Sequence, residues 1–289
     1  MKKKFLRVLI FTTEHPVKVL RILDALRSKT ISNVEIFIIT NQELNPPFEY
    51  SEINILVIKE PSIYHLRCHI PELAKGTEWV LLLEDHNLIS SEYLGKVNEA
   101  ICEVQDETKL IYGPTENLTT KNKWSWPNYL FVQVKHWDPV MNIPNEPIIF
   151  NGIYRSKEFP SENYRVGEFE TRALNYFFSR ATFNPTFKVD HVQYRRFPSV
   201  LYYYFCHGRA TSGTYSPEYK DRAEWTKKHL ERLFKVRWKE SLAIIKRHPK
   251  ASQLPRFTIT RLFILYLTDA LGLIFGAVWG AGKSAEALE

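Results

Sequence analysis

The chain has 289 residues, 44% hydrophobic and 25% charged, enough to bury one large α/β core with an appendage or two small domains. Its 39 Lys and Arg against 32 Asp and Glu leave a formal charge of +7, which points to an anionic partner without choosing among nucleic acid, acidic lipid and phosphorylated substrate. Three scattered cysteines, Cys68, Cys102 and Cys206, form no CxxC pair, which argues against a zinc knuckle or disulfide framework and fits free thiols in a reducing compartment.

The opening MKKKFLRVLIFTT imitates a signal peptide, but its apolar run is short and no small-residue cleavage site follows. It reads instead as a first buried strand, Leu6 to Thr12, and the expected compartment is the cytoplasm. His15–Pro16 open a helix, with Val19, Leu20, Leu23 and Leu26 at helical spacing and an end near Ser28. Two more strands follow, Val34 to Thr40 and Asn54 to Lys59, then a short helix over Ile63 to Lys75 and a fourth strand, Trp79 to Leu83. Continuous apolar strands alternating with helices predict a mostly parallel sheet covered on both faces, the α/β class.

A helix is expected from about Ser91 to Val104 and a strand at Leu110 to Gly113. Pro114 to Pro147 reads as a long loop with an acceptor or lid role, where Trp124, Trp126 and Trp137 could stack on sugars or lipid. Ile148 to Tyr154 resumes the core, a helix covers Glu168 to Ser179, and a strand at Lys188 to Val192 carries His191. The aromatic run Leu201 to Phe205 leads into His207–Gly208–Arg209. Asp221 to His248 forms a basic amphipathic helix or helix pair that Pro249 to Pro255 ends. Arg256 to Gly282 is strongly apolar, yet Arg261 and Asp269 each cost about 2.5–3.5 kcal/mol at a bilayer centre, so interfacial burial is expected rather than a clean span. Packing against the rest of the chain, or a seam with a second copy, is the alternative.

The fourth strand runs directly into Glu84–Asp85–His86. Ligands of open α/β sheets gather at the carboxyl ends of strands, and a carboxylate pair there can anchor a divalent cation that neutralises phosphate. Asp85 is the candidate metal ligand, with Glu84 beside it; a solvated acidic turn is the plain alternative.

The order of a first strand, an H-P-x-x-V helix, VEIFIIT and WVLLLEDHNLISSEYL resembles the family 2 glycosyltransferases of GT-A fold, over most of Arg7 to Arg209 and more loosely the tail GAVWGAGKSAEALE. On that resemblance Glu84–Asp85–His86 is a variant of the DXD-type motif that binds metal and diphosphate. The stretch Glu170 to Leu174 answers to the segment that supplies the catalytic base, and His191 to a metal-binding histidine. The resemblance implies a GT-A domain over 1–215 and a helical, membrane-associating region over 216–289. It implies transfer of a sugar from a nucleotide-sugar donor to a glycan or lipid-linked acceptor at the inner membrane face, with inversion. Mn²⁺ or Mg²⁺ would be held by Asp85 and His191, and an anionic membrane surface would be a partner. Thr12, Glu14, Thr40, Arg67, Glu84 and Arg209 are the candidate donor contacts.

Two positions depart from the family pattern. Thr40–Asn41–Gln42 stands where many members carry an Asp that touches the base, and Thr171 occupies the position of the catalytic base. The general base is then Glu170, with Glu168 as the alternative. A catalytically silent binding or scaffold protein of the same fold is the rival reading. No nucleic-acid-binding signature supports a third, and nucleic acid is not an expected partner.

Overall fold

The computed structural model describes residues 5–12, 16–27, 33–43, 53–60, 63–85, 87–118, 121–137, 151–192, 195–214 and 221–280. The elements run in chain order as β1 (Leu6–Thr12), α1 (Pro16–Arg27), β2 (Val34–Thr40), β3 (Asn54–Val57), α2 (Ile63–Cys68), α3 (Ile70–Leu73), β4 (Trp79–Glu84), β5 (Asn87–Leu88) and α4 (Tyr93–Glu103). There follow β6 (Leu110–Tyr112), β7 (Thr115–Asn117), α5 (Ser125–Gln133), β8 (Gly152–Arg155), a π-helical turn (Phe169–Ala173) and α6 (Leu174–Phe178). The last elements are β9 (Ala181–Phe183), β10 (Val189–His191), α7 (Ser199–Thr211), α8 (Arg222–Glu231), a second π-helical stretch (Arg232–Trp238), α9 (Lys239–Arg247) and α10 (Thr258–Trp279).

Seven strands form one sheet in the order β3-β2-β1-β4-β8-β6-β9, and β5-β10-β7 form a second, smaller one. In the large sheet β8 runs antiparallel to both of its neighbours, while the other pairings are parallel. This is the mixed, mostly parallel sheet expected from the sequence. Its alternation is strict: Leu6, Val8 and Ile10 meet α1 and α4 through Ile22, Leu23, Val97 and Ile101. The intervening Leu9 and Phe11 meet Leu66, Ile70, Phe169 and Phe177 on the opposite face. A strand segment buried on both faces needs apolar residues at every position, which is why residues 8–11 (VLIF) and 79–83 (WVLLL) read as unbroken hydrophobic runs, with the half-buried Arg7 and Glu84 outside them.

Several elements differ from the sequence expectation. The helix expected over Ile63 to Lys75 is two pieces, because Pro71 lacks an N–H and its ring obstructs the carbonyl four residues back. The stretch 114–147 is not all loop, since it contains β7, α5 and a 3₁₀ turn at Val134–Trp137. In α5 nearly every residue is buried, so no polar face alternates with an apolar one to announce a helix. Its start is held by Asn122, whose Oδ1 accepts from the Trp124 N–H at 3.0 Å. Residues 138–150, with the start of the expected Ile148 strand, lie outside the described residues. The aromatic run at 201–205 is part of α7.

The chain divides into two compact units, 1–116 with 146–191, and 117–145 with 192–289. The first holds both sheets. The core of the second brings Tyr129, Leu130 and Phe131 of α5 together with Val200, Tyr204, Leu262, Leu265 and Tyr266. Tyr204 donates its hydroxyl to Asn128 Oδ1. Here α7 and α10 meet at backbone distance: a Cβ at Gly272 would lie 1.9 Å from the Phe205 carbonyl oxygen, and one at Gly208 1.9 Å from that of Asp269.

Candidate functional site

In the first unit the chain turns from β1 through α1 to β2 on one side, and returns through α2 and α3 to β4 on the other. The carboxyl ends of β1 and β4 therefore lie side by side where the strand order reverses, the crevice in which open α/β sheets bind ligands. Parallel register pairs Phe11 with Glu84, so Thr12 comes level with Asp85. The Thr12 hydroxyl donates to Asp85 Oδ2 at 2.7 Å, with Thr12 fully buried and Asp85 6% exposed. A hydrogen bond to an ionised acceptor is short and strong, and it fixes the carboxylate's rotamer.

Thr40 ends β2 beside Thr12 and is also fully buried; its Oγ1 accepts from the Gln42 N–H at 3.2 Å. Glu84 accepts from Arg67 Nη2 at 2.8 Å in a largely buried pair. That pairing compensates the Glu84 charge and leaves Asp85 as the carboxylate at the strand tip. Glu14 and His86 lie outside the described residues.

His191 arrives from 106 residues further along by strand pairing. In the small sheet β10 runs antiparallel to β5, and His191 pairs with Asn87. Asn87 is two residues beyond Asp85, a stretch of chain that spans at most about 7 Å. The ladder thus brings a buried imidazole to the neighbourhood of the buried carboxylate. The carboxylate oxygen suits Mn²⁺ or Mg²⁺, the imidazole nitrogen is a donor to Mn²⁺, and phosphate oxygens and water would complete the shell. Among the described residues no three His, Cys, Asp or Glu side chains gather in one place. A cation here would therefore depend on its anionic ligand for much of its coordination. Next to His191, burial raises the Asp190 carboxyl above its usual range, opposed by Lys188.

Sequence reasoning missed the node that anchors β10. Asn151 sits at a φ of 67°, a left-handed conformation that asparagine tolerates better than most residues. Its N–H donates to Leu82 of β4 at 2.9 Å, and its Nδ2 to the carbonyls of Pro114 and Phe187 at 3.0 and 3.3 Å. Its Oδ1 accepts from the Tyr93 hydroxyl at 2.5 Å, and burial holds that phenol well above its ordinary range. Gly113 closes the node, because a Cβ there would stand 2.0 Å from the Phe187 oxygen. The signal available was the Asn151–Gly152 dipeptide, a common site for positive φ.

Glu168 precedes the π-helical turn; its Oε2 accepts from the Arg165 N–H at 2.9 Å and its Oε1 lies 3.7 Å from Arg172. Glu170 lies within that turn, its side chain outside the described set. Arg209 belongs to the second unit, on α7, where its Nε donates to the Gly280 carbonyl at 3.1 Å and its guanidinium lies over Phe275. On the same helix, His207 Nδ1 is 2.7 Å from Asp269 Oδ1.

No protein-family model matches the chain, and no curated protein matches it. Among solved structures it is similar to residues 1–349 of TarS from S. aureus, at 12% identity and a TM-score of 0.44 over 93% of this chain and 89% of that one. A mannosyltransferase from Pyrobaculum calidifontis, PcManGT, in complex with GDP-Man and Mn²⁺, aligns at 11% identity and a TM-score of 0.46 over 100% and 79%. Glucosyl-3-phosphoglycerate synthase from Mycobacterium tuberculosis aligns at 7% and 0.43 over 66% and 73%.

Proposed function

We propose that the chain is a metal-dependent glycosyltransferase that binds a nucleotide-sugar donor outside the carboxyl ends of β1 and β4. It would pass the sugar, with inversion, to a glycan or lipid-linked acceptor at the inner face of a membrane. The observation that carries this reading is the Thr12–Asp85 hydrogen bond at the point where strand order reverses. A buried acidic side chain at a ligand crevice, held in one rotamer by the Thr12 hydroxyl, has its oxygens set for a cation whose positive charge would offset the cost of burying it.

Asp85 and His191 are the residues that would hold Mn²⁺ or Mg²⁺, which when bound supplies positive charge against the donor's diphosphate. Arg67, paired with Glu84, offsets that carboxylate's charge at the same strand end. Thr12 holds Asp85, and the Asn151 node holds the start of β10 behind His191. In the transfer, the acceptor oxygen bonds to the anomeric carbon as the bond from that carbon to the diphosphate oxygen breaks. The acceptor hydroxyl proton goes to Glu170, or to Glu168 in its place.

Calorimetric titration of UDP and of GDP, with and without Mn²⁺, tests the reading directly. One of the two should bind in a Mn²⁺-dependent way, and Asp85→Asn should weaken that binding at least about tenfold. Binding that ignores the metal, or that is unchanged in Asp85→Asn, defeats the assignment. Glu170→Gln should retain donor binding while transfer falls by about 10²-fold or more. Full turnover in that variant with loss in Glu168→Gln moves the base to Glu168.

A further inference from the structure

The second unit contains a groove of about 520 Å³ between α8, the π-helical stretch that follows it, and the end of α10. Its walls are apolar, with Leu230 and Phe234 on one side and Ile274, Ala277 and Val278 on the other. Lys227, Glu231 and Lys235 recur at four-residue intervals along its edge. Glu231 is engaged by Lys235 at 3.2 Å, while Lys227 has no carboxylate within ion-pair distance among the described residues. The groove is open along one side, and its volume and apolar lining suit a hydrocarbon group laid along it better than a polar one.

Two further observations identify the occupant. First, Ile274 and Val278 belong both to the groove and to an outward stripe on α10. That stripe is Ile259, Phe263, Leu267, Leu271, Ile274 and Val278, each between 38% and 64% exposed and spaced by three or four residues. The helix is 22 residues long and apolar enough to cross a membrane by length and composition. Second, residues 222–256 hold eleven Lys and Arg against three Asp and Glu, an excess of eight that is larger than the net charge of the whole chain. An apolar slot that opens onto an apolar stripe and is edged by unneutralised lysine matches a molecule with a hydrocarbon chain and a negative head.

We infer that this groove seats one acyl chain of an anionic phospholipid, with the lipid phosphate at Lys227. The inference rests on the proposal that the protein works at a membrane surface, and gives that proposal a specific lipid-binding site.

The test uses the full chain and monomeric short-chain phosphatidylglycerol below its micelle concentration, titrated calorimetrically beside short-chain phosphatidylcholine and glycerol phosphate. Phosphatidylglycerol should bind at least tenfold more tightly than either control, since one lacks the net charge and the other lacks the chains. Ala223→Trp, at an exposed position beside the groove, and Ala277→Trp should each abolish that binding with an unchanged melting temperature. Lys227→Glu should weaken it at least tenfold. Equal binding of phosphatidylcholine, or full binding by both tryptophan variants, overturns the proposal. Sedimentation with phosphatidylglycerol vesicles separates the two levels: vesicle binding without capture of monomeric lipid refutes the groove alone, and neither binding mode refutes the membrane reading as well.

Discussion

Replacing Thr12 with valine keeps the shape of the side chain and removes one donor. In the folded chain that donor reaches Asp85 Oδ2 at 2.7 Å, with both residues buried. A hydrogen bond to a charged acceptor contributes about 1.5–3 kcal/mol. A domain stable by roughly 5–15 kcal/mol survives that loss, so the variant should fold. What it loses is the orientation of the carboxylate. Groups that hold a metal ligand from behind cost about 10- to 100-fold in metal affinity when removed. That factor corresponds to about 1.4–2.8 kcal/mol, the same size as the hydrogen bond itself. The assay is calorimetric titration of the nucleoside diphosphate at fixed Mn²⁺ into the parent, Thr12→Val and Thr12→Ser. The valine variant should bind about 10- to 100-fold more weakly, and the serine variant, which restores the hydroxyl, should return to near the parent value. Parent-like affinity in Thr12→Val, or equal losses in serine and valine, would refute the argument that Thr12 acts through Asp85.

Two glycines make opposite predictions. Gly272→Ala drives a Cβ to 1.9 Å from the Phe205 carbonyl and should lower the melting temperature by several degrees, the cost of about 1–3 kcal/mol of overpacking. Gly95→Ala, in α4 with nothing within 4 Å of the new Cβ, should add about 0.5–1 kcal/mol; a neutral Gly272→Ala would show that α7 and α10 do not meet at backbone distance. His229, stacked on Trp225, is held below the ordinary histidine range chiefly by burial and secondarily by Arg232. The unfolded chain then binds the proton more readily, so stability is full above about pH 6.5 and declines as the pH falls below it. Thermal unfolding at pH 7.5 and 5.5 should show that decline, and a His229→Gln variant that declines as steeply as the parent contradicts it.

The large sheet was legible because its central strands are buried on both faces, which forces runs such as WVLLL that little else explains. The carboxylate at the end of that run could be located from chain order alone, since the end of a strand is a position in sequence as well as in space. The partner that holds it could not. Nothing local in LRVLIFTT announces that Thr12 meets Asp85, because the pairing follows from register between strands far apart in the chain. Asn151 is hidden for the same reason, as its partners come from four separate segments. Residues that pack all round were misread in the other direction: α5 lacks a polar face, so its helical period is invisible and its Trp, Pro and Asn content suggests a loop. Within the apolar tail expected at the interface, Leu265 is fully buried beside Tyr266. It lies on the face that α7 covers, and a run apolar on both faces carries no period by which to tell them apart.

The two charges in the apolar tail resolve into different roles once α10 has a neighbour. Asp269 is on the inner face, 8% exposed, with His207 of α7 at 2.7 Å. A carboxylate there has a hydrogen-bond partner inside the protein and sets no limit on what the outer face touches. Arg261 lies in the first turn, where its Nη1 donates to the Arg256 carbonyl, so its charge stays at the helix end with the basic segment that precedes it. The objection that two charges raise against lipid contact therefore applies to a helix alone in a bilayer, surrounded by hydrocarbon on every side. It does not apply to a helix whose inner face is packed through Gly208, Gly272 and Gly276 onto its own protein and whose outer face carries only Ile, Phe, Leu, Val and Trp at its most exposed apolar positions. Such a helix can lie against a membrane along its length without moving either charge out of its present contact. On the proposed membrane reading, Lys227 and Lys235, which edge the groove beside Ile274 and Val278, would then meet the headgroups.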